Sequence, residues 1–149
     1  MKRTPLNQVS WETRAKWEEI KNKLIKAIYD AGGKLMTGSD TPEFLGLYGF
    51  SEHRELKALN DAGLSAYASL EAATKNPSMF FGTLDKVGTI EKGKRADLIL
   101  LDANPLEDIT NTEKRSGVML KGKYYTQTEM NKWLDDIAPR IHNCLGEEK

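Results

Sequence analysis

The chain has 149 residues, enough for one ordinary domain with a real core. Lysine plus arginine number 22 and aspartate plus glutamate 22, so the formal net charge is zero and no basic excess offers a footprint for nucleic acid or an anionic membrane. No apolar run approaches the roughly 18 residues of a membrane span, and Cys144 is the single cysteine, so no internal disulfide can form.

The start, Met1-Lys2-Arg3-Thr4-Pro5, is basic but leads into polar residues rather than an apolar signal core. With one cysteine, a reducing, cytoplasmic setting is the expectation. The first nine residues read as an extended lead-in. Ser10 is placed to cap a long helix running to about Ala31. Trp17, Ile20, Leu24, Ala27, Ile28 and Ala31 recur at spacings of three and four and predict one packed apolar stripe. Gly32-Gly33 supplies a left-handed C-cap. Leu35 to Thr37 then reads as a short buried strand.

Asp40 to Gly49 reads as a loop, punctuated by Thr41-Pro42 and made unusually apolar by Phe44, Leu45, Leu47, Tyr48 and Phe50. Its aromatics Phe44, Tyr48 and Phe50 suit either a pocket wall or a small core beneath a long loop. A helix follows from about Ser51 to Ala62, ending at Gly63. Ser65 caps the next, through Ala73 or Thr74, and Asn76-Pro77 stops or restarts it. Met79 to Gly82 is one more helical turn.

The pattern changes after Gly82. Val87 to Glu91, Ala96 to Leu101, Val118 to Lys121 and Tyr124-Tyr125 read as short strands joined by turn-forming residues. Thr128 is placed to cap a final helix carrying Met130, Trp133, Leu134 and Ile137, broken at Pro139, with a frayed tail past Ile141. Trp17 and Trp133 lie on helical stripes and read as packing residues. The predicted order is helix, strand, loop, helices, then an antiparallel β segment. One lone parallel-type strand cannot satisfy its own hydrogen-bonding edges, so its neighbours are expected on other polypeptide.

Two local patterns carry no chemistry. Gly88-Thr89-Ile90-Glu91-Lys92-Gly93-Lys94-Arg95 nearly fits a phosphate-binding loop, but Arg95 stands where a hydroxyl must hold magnesium. A strand, not a helix, is predicted after it, so a hairpin turn at Lys92-Gly93 is expected, with Lys94, Arg95 and Asp97 as scaffold charges. His142 and Cys144 sit two apart, the wrong spacing for one helix face, and two ligands do not close a zinc site.

Asp40 is the residue that points to chemistry. An apolar run leaves a helix cap, passes Gly38 and ends on a carboxylate, which is how a strand delivers an acid to the mouth of an α/β barrel. Taken alone, Gly38-Ser39-Asp40 reads as a loop or capping aspartate, since such caps are common. His53 sits near the start of the helix beyond the apolar loop, where a side chain reaches such a mouth. Nothing local pairs with it, Glu55 does not share its face, and a plain helix-start histidine is the alternative reading.

Five segments in order resemble one family. Gly38-Ser39-Asp40-Thr41-Pro42 is similar to the motif after strand eight of the metal-dependent amidohydrolases. Phe50-Ser51-Glu52-His53-Arg54-Glu55-Leu56 resembles the entry to helix eight. Ala62-Gly63-Leu64-Ser65 with Leu70-Glu71-Ala72-Ala73-Thr74-Lys75-Asn76-Pro77 resembles the helical pair beyond it. Gly88 to Leu98, with Asn104-Pro105-Leu106-Glu107-Asp108-Ile109, resembles the C-terminal β segment of the imidazolonepropionase-like branch, which includes metal-dependent dipeptidases. The resemblance covers about Gly32 to Ile137.

It implies an α/β fold: the C-terminal fragment of a (β/α)8 barrel, with its last helix, strand eight and the helix-eight region. The C-terminal strands of an accessory β-sandwich and a terminal helix follow. The corresponding domains are 1–82, 83–125 and 126–149. A complete barrel takes about 250 residues, and the family's His-x-His pair, bridging lysine or glutamate, and strand-five and strand-six histidines have no counterpart here. They are expected on an upstream or separately encoded N-terminal part. The resemblance further implies a divalent metal, zinc first and manganese or another ion as alternatives. Asp40 is implied as metal ligand and proton carrier, His53 as a substrate contact, and a small amide, cyclic amide or dipeptide as substrate. The isolated chain is expected to be inactive. The rival expectation is a non-catalytic module that completes a separately encoded half.

Overall fold

The computed structural model describes residues 10–41 and 49–145, with side chains described through Ile137. The predicted lead-in over 1–9 and the loop residues Phe44, Leu45, Gly46, Leu47 and Tyr48 lie outside the described residues, and so do the side chains of His142 and Cys144. Among the described residues, no helix is long and apolar enough to cross a membrane.

Helix α1 spans Trp11–Asp30, with Ser10 as N-cap accepting from the Thr13 amide at 3.3 Å. It ends as expected at the glycine pair: the Gly33 amide donates to Ile28 O and the Gly32 amide to Tyr29 O, both at 2.9 Å. Its apolar stripe does not pack as the spacing predicted. Trp17, Ile20, Leu24 and Ile28 remain 51%, 55%, 59% and 43% exposed. The face that does pack carries Ile25. The periodicity is real, but the described residues leave this stripe uncovered.

Helices α2 (Ser51–Asp61), α3 (Ala66–Ala73) and α4 (Lys75–Phe80) follow. Ser65 caps α3, accepting from the Ala68 amide at 3.1 Å. The chain restarts a helix across Asn76-Pro77, because proline is tolerated in a first turn whose amides have no helical acceptor. Leu59, Leu64, Ala68 and Ala72 form the core, with Ile25 and Leu35 packed on it. This small cluster holds α1 and the segment after it against α2 and α3.

The predicted strand at Leu35 to Thr37 is extended but has no ladder partner among the described residues, and Leu35 and Thr37 are half-buried rather than buried. A strand needs a neighbouring edge, and here one side of the segment is fastened to helices instead. Val87 to Glu91 is likewise not a strand but a series of turns and bends. Gly88 has φ +92°, and a Cβ there would sit 2.3 Å from Ser78 Oγ, so this stretch is a connection pressed onto α4.

The sheet has three antiparallel strands in the order β1-β2-β3: β1 (Leu98–Leu101), β2 (Arg115–Leu120) and β3 (Lys123–Thr126). Both later strands are longer than predicted. Lys121 and Gly122, both at positive φ, form the two-residue turn between them. Asp97 accepts from the Lys121 amide at 2.7 Å, and that bond, with Arg95 beside it, holds the Asp97 carboxyl below the usual carboxylate range. The scaffold role expected for Asp97 is thus visible. Residues 92–93 do form a turn, and the strand β1 follows, so the phosphate-loop reading stays excluded.

A one-turn-and-a-half 3-10 helix, Ile109–Glu113, links β1 to β2 and packs on α2 through buried Ile109. Helix α5 (Gln127–Leu145) closes the chain. Its cap is Thr126 rather than Thr128: the Glu129 amide donates to Thr126 Oγ1 at 3.2 Å, and Glu129 Oε2 accepts from the Thr126 amide at 2.8 Å. Position 139 does not break it, since proline removes one helical donor and the rest of the helix continues. Trp133 stays half-exposed, with one edge against Tyr125 at a centroid distance of 5.1 Å.

Candidate functional site

The segment leading to Asp40 alternates. Gly33, Leu35, Thr37 and Ser39 are partly buried, whereas Lys34, Met36, Gly38 and Asp40 are exposed. That is the two-residue period of a strand with one face on helices and one face open. Leu35 packs on the α2–α3 core. The backbone is pinned on the same side: the Thr37 amide donates to Ala72 O at 3.1 Å, and Asn76 Nδ2 donates to Leu35 O at 2.8 Å. Sequence reading had treated Asn76 only as a helix stop. Its position just before Pro77 gave no sign that its amide reaches back across 41 residues.

Asp40 sits at the end of this segment on the open side. Its φ is +48°, a left-handed conformation that costs most L-residues about 1–2 kcal/mol and that aspartate tolerates better than most. The Ser39 and Thr41 hydroxyls meet beside it at 2.9 Å. The Asp40 carboxylate itself has no hydrogen-bond or ion-pair partner among the described residues. An exposed carboxylate on a left-handed backbone is a candidate for function rather than for stability.

His53 lies in the first turn of α2, partly buried. Its Nδ1 is 3.0 Å from Thr112 Oγ1 in the 3-10 helix. Thr112 donates its hydroxyl hydrogen to Ile109 O at 2.9 Å, so toward His53 it can only accept. His53 therefore carries its proton on Nδ1 and leaves Nε2 as the free ring nitrogen when neutral. Thr112 is the partner that sequence reading missed; a contact spanning 59 residues leaves no local signal. Thr112→Val is expected to strand the His53 Nδ1–H and lower stability by about 1 kcal/mol, measured by urea unfolding.

Phe50 precedes α2 and is exposed. A shallow apolar cavity of about 250 Å³ lies on the open side of the segment, lined by Lys34, Met36, Asn76, Met79 and Phe80. For a metal, Asp40 supplies a hard, unshared oxygen donor suited to a divalent ion. Among the described residues, no group of three or more histidine, cysteine, aspartate or glutamate side chains comes together. A catalytic zinc takes about three protein ligands. Among the described residues, nothing joins Asp40 to complete a metal site.

A match to the amidohydrolase family runs over residues 14–124, and the chain belongs to that family. An imidazolonepropionase from Thermoplasma acidophilum is 42% identical over 52 residues, 35% of this chain and 13% of that protein. The structure of a Xaa-Pro dipeptidase with methionine bound in its active site superposes with a TM-score of 0.64 at 30% identity, covering 70% of this chain and 25% of that one. A putative prolidase from Bifidobacterium longum gives 0.63 at 29% identity, covering 75% and 29%. The chain spans less than a third of the length of each of these relatives.

Proposed function

We propose that this chain is the C-terminal part of a (β/α)8 amidohydrolase barrel and contributes Asp40 to the hydrolysis of a C–N bond. Residues 1–82 form the end of the barrel, 83–125 the C-terminal part of the β-sandwich, and 126–149 the terminal helix and tail. The observation that carries this reading is the alternation over 33–40, which leaves Asp40 exposed at the end of the segment on its open face. Inside a closed barrel that face is the lumen, and the strand's carboxyl end is the side where such folds keep their chemistry.

Asp40 would hold a divalent ion, zinc or manganese, through one oxygen, with the remaining ligands on other polypeptide. Such an ion lowers the pKa of bound water to about 7. The chain's own task is proton management. Asp40 would take up a proton at its carboxylate and pass it to the leaving nitrogen, so that carboxylate must be short and fixed rather than mobile. The pinning of Leu35 and Thr37 to α3 and α4 fixes it. His53, held by Thr112 through Nδ1, would offer Nε2 as a substrate contact. The names of the relatives suggest a cyclic amide or a dipeptide as substrate, acted on in a reducing compartment such as the cytoplasm.

A second reading has two observations in its favour: the open edge of the 33–40 segment and the exposed α1 stripe suit a subunit that completes a separately encoded half. The two readings share a test. The purified chain, with zinc or manganese, is expected to hydrolyse neither Xaa-Pro dipeptides nor cyclic amides above a metal blank. Supplied with the N-terminal part of the barrel, it is expected to turn over. Turnover by the chain alone would refute the proposal.

A further inference from the structure

Asp40 stands between two hydroxyls. Ser39 and Thr41 are each partly buried, whereas Asp40 between them is exposed. The Ser39 Oγ and Thr41 Oγ1 atoms lie 2.9 Å apart and share a hydrogen bond.

An extended chain would keep these hydroxyls apart. A strand rises about 3.3 Å per residue, so side chains two positions apart start about 6.6 Å from each other. Hydroxyls on stems one carbon long cannot close that gap to hydrogen-bonding distance. The chain has to bend at the residue between them, and it does: Asp40 has φ +48°. Bridge and bend occur together, and losing one releases the other.

The bend also lies beyond the firm part of the segment. The Thr37 amide, bonded to Ala72 O at 3.1 Å, is the last backbone donor of the segment fastened to the helices among the described residues. Gly38 follows, with open space where a Cβ would stand, and glycine is the least restricted of residues. A carboxylate two residues further on would swing with its backbone. An acid–base group has to sit within hydrogen-bond reach of the proton it moves, and a misplacement of about 1 Å costs up to about 10²-fold.

We propose that Ser39 and Thr41 are positioning residues: their shared hydrogen bond locks the left-handed turn at Asp40 and so aims its carboxylate to the open side. Neither hydroxyl touches the reacting atoms. The inference rests on the role proposed for Asp40 and adds what holds that group in place.

Three variants test it. Thr41→Val keeps the side-chain shape without the hydroxyl, Ser39→Ala removes the other hydroxyl, and Thr41→Ser retains one at position 41. The Asp40 amide and α protons lie closest when φ is positive, so their cross-peak in nuclear magnetic resonance of the isolated chain reports the turn. It is expected to be strong in the wild type and in Thr41→Ser, and weak in Thr41→Val and Ser39→Ala. Circular dichroism of all three should match the wild type, because neither residue lies in the core cluster. In the chain assembled with its N-terminal part, Thr41→Val and Ser39→Ala should each lower kcat about tenfold or more at nearly unchanged KM. Thr41→Ser should restore kcat. The double variant should be no worse than the poorer single one, since each change alone breaks the same bond.

The proposal is overturned if the cross-peak stays strong in Thr41→Val and Ser39→Ala, or if Thr41→Ser fails as Thr41→Val does. It is also overturned if the two losses multiply in the double variant, the mark of two independent contacts, or if both single variants keep wild-type kcat while Asp40→Asn loses it. A cross-peak lost as expected, together with wild-type kcat in Asp40→Asn, keeps the lock and overturns the role given to Asp40.

Discussion

Asp40→Asn, made in the chain assembled with its N-terminal part, is expected to lower kcat by about 10²–10⁴-fold, the usual size of a lost acid–base group. KM should change little, because the carboxylate acts on the proton in flight and not on substrate binding. Asparagine accepts the left-handed φ of +48° as readily as aspartate does, so the backbone is not disturbed. The carboxylate has no partner among the described residues, so the isolated variant should unfold within about 0.5 kcal/mol of wild type. Steady-state kinetics on the assembled enzyme and urea unfolding of the isolated chain check both halves. A wild-type kcat in the variant would remove Asp40 from the chemistry.

The second large effect concerns the platform beneath Asp40. Leu64 is 3% exposed and sits in the cluster of Leu59, Ala68 and Ala72, on which Ile25 and Leu35 rest. Leu64→Ala is expected to cost about 2–5 kcal/mol. Domains of ordinary stability have only about 5–15 kcal/mol in all. Much of the fold's margin would go, and with it the packing that holds Leu35 and therefore the line of the segment ending at Asp40. A lower urea midpoint at unchanged slope would report this. Leu24→Ala is the control: at 59% exposure it should shift the isolated chain by less than about 0.5 kcal/mol. If Leu64→Ala behaved like Leu24→Ala, the cluster would not be the core.

Helix starts set by local chemistry were legible in the sequence. Ser10 and Ser65 announce themselves because a cap needs only its own next turn. Thr126 was passed over for Thr128, since the reciprocal bond from Glu129 depends on where the preceding strand ends. Val87 to Glu91 has strand composition, yet the close approach of Gly88 to Ser78 makes it a connection. Composition cannot register a contact of that kind. The link from His53 to Thr112 is equally silent, because it joins two segments far apart in the chain. The stripe of α1 and the run ending at Asp40 were read correctly as patterns. Their burial was not, because a pattern states what a surface fits and not whether the fitting surface is on the same chain. Asp40 itself was found from residue order, and its free carboxylate and left-handed backbone are consistent with that choice without testing it.

The most direct measurement is a calorimetric titration of zinc and manganese into the chain alone and into the chain joined to its N-terminal part. The account predicts no saturable micromolar site in the chain alone. After joining, it predicts a stoichiometric site that Asp40→Asn weakens. One equivalent of zinc held at micromolar affinity or tighter by the isolated chain, with amide turnover, would contradict it.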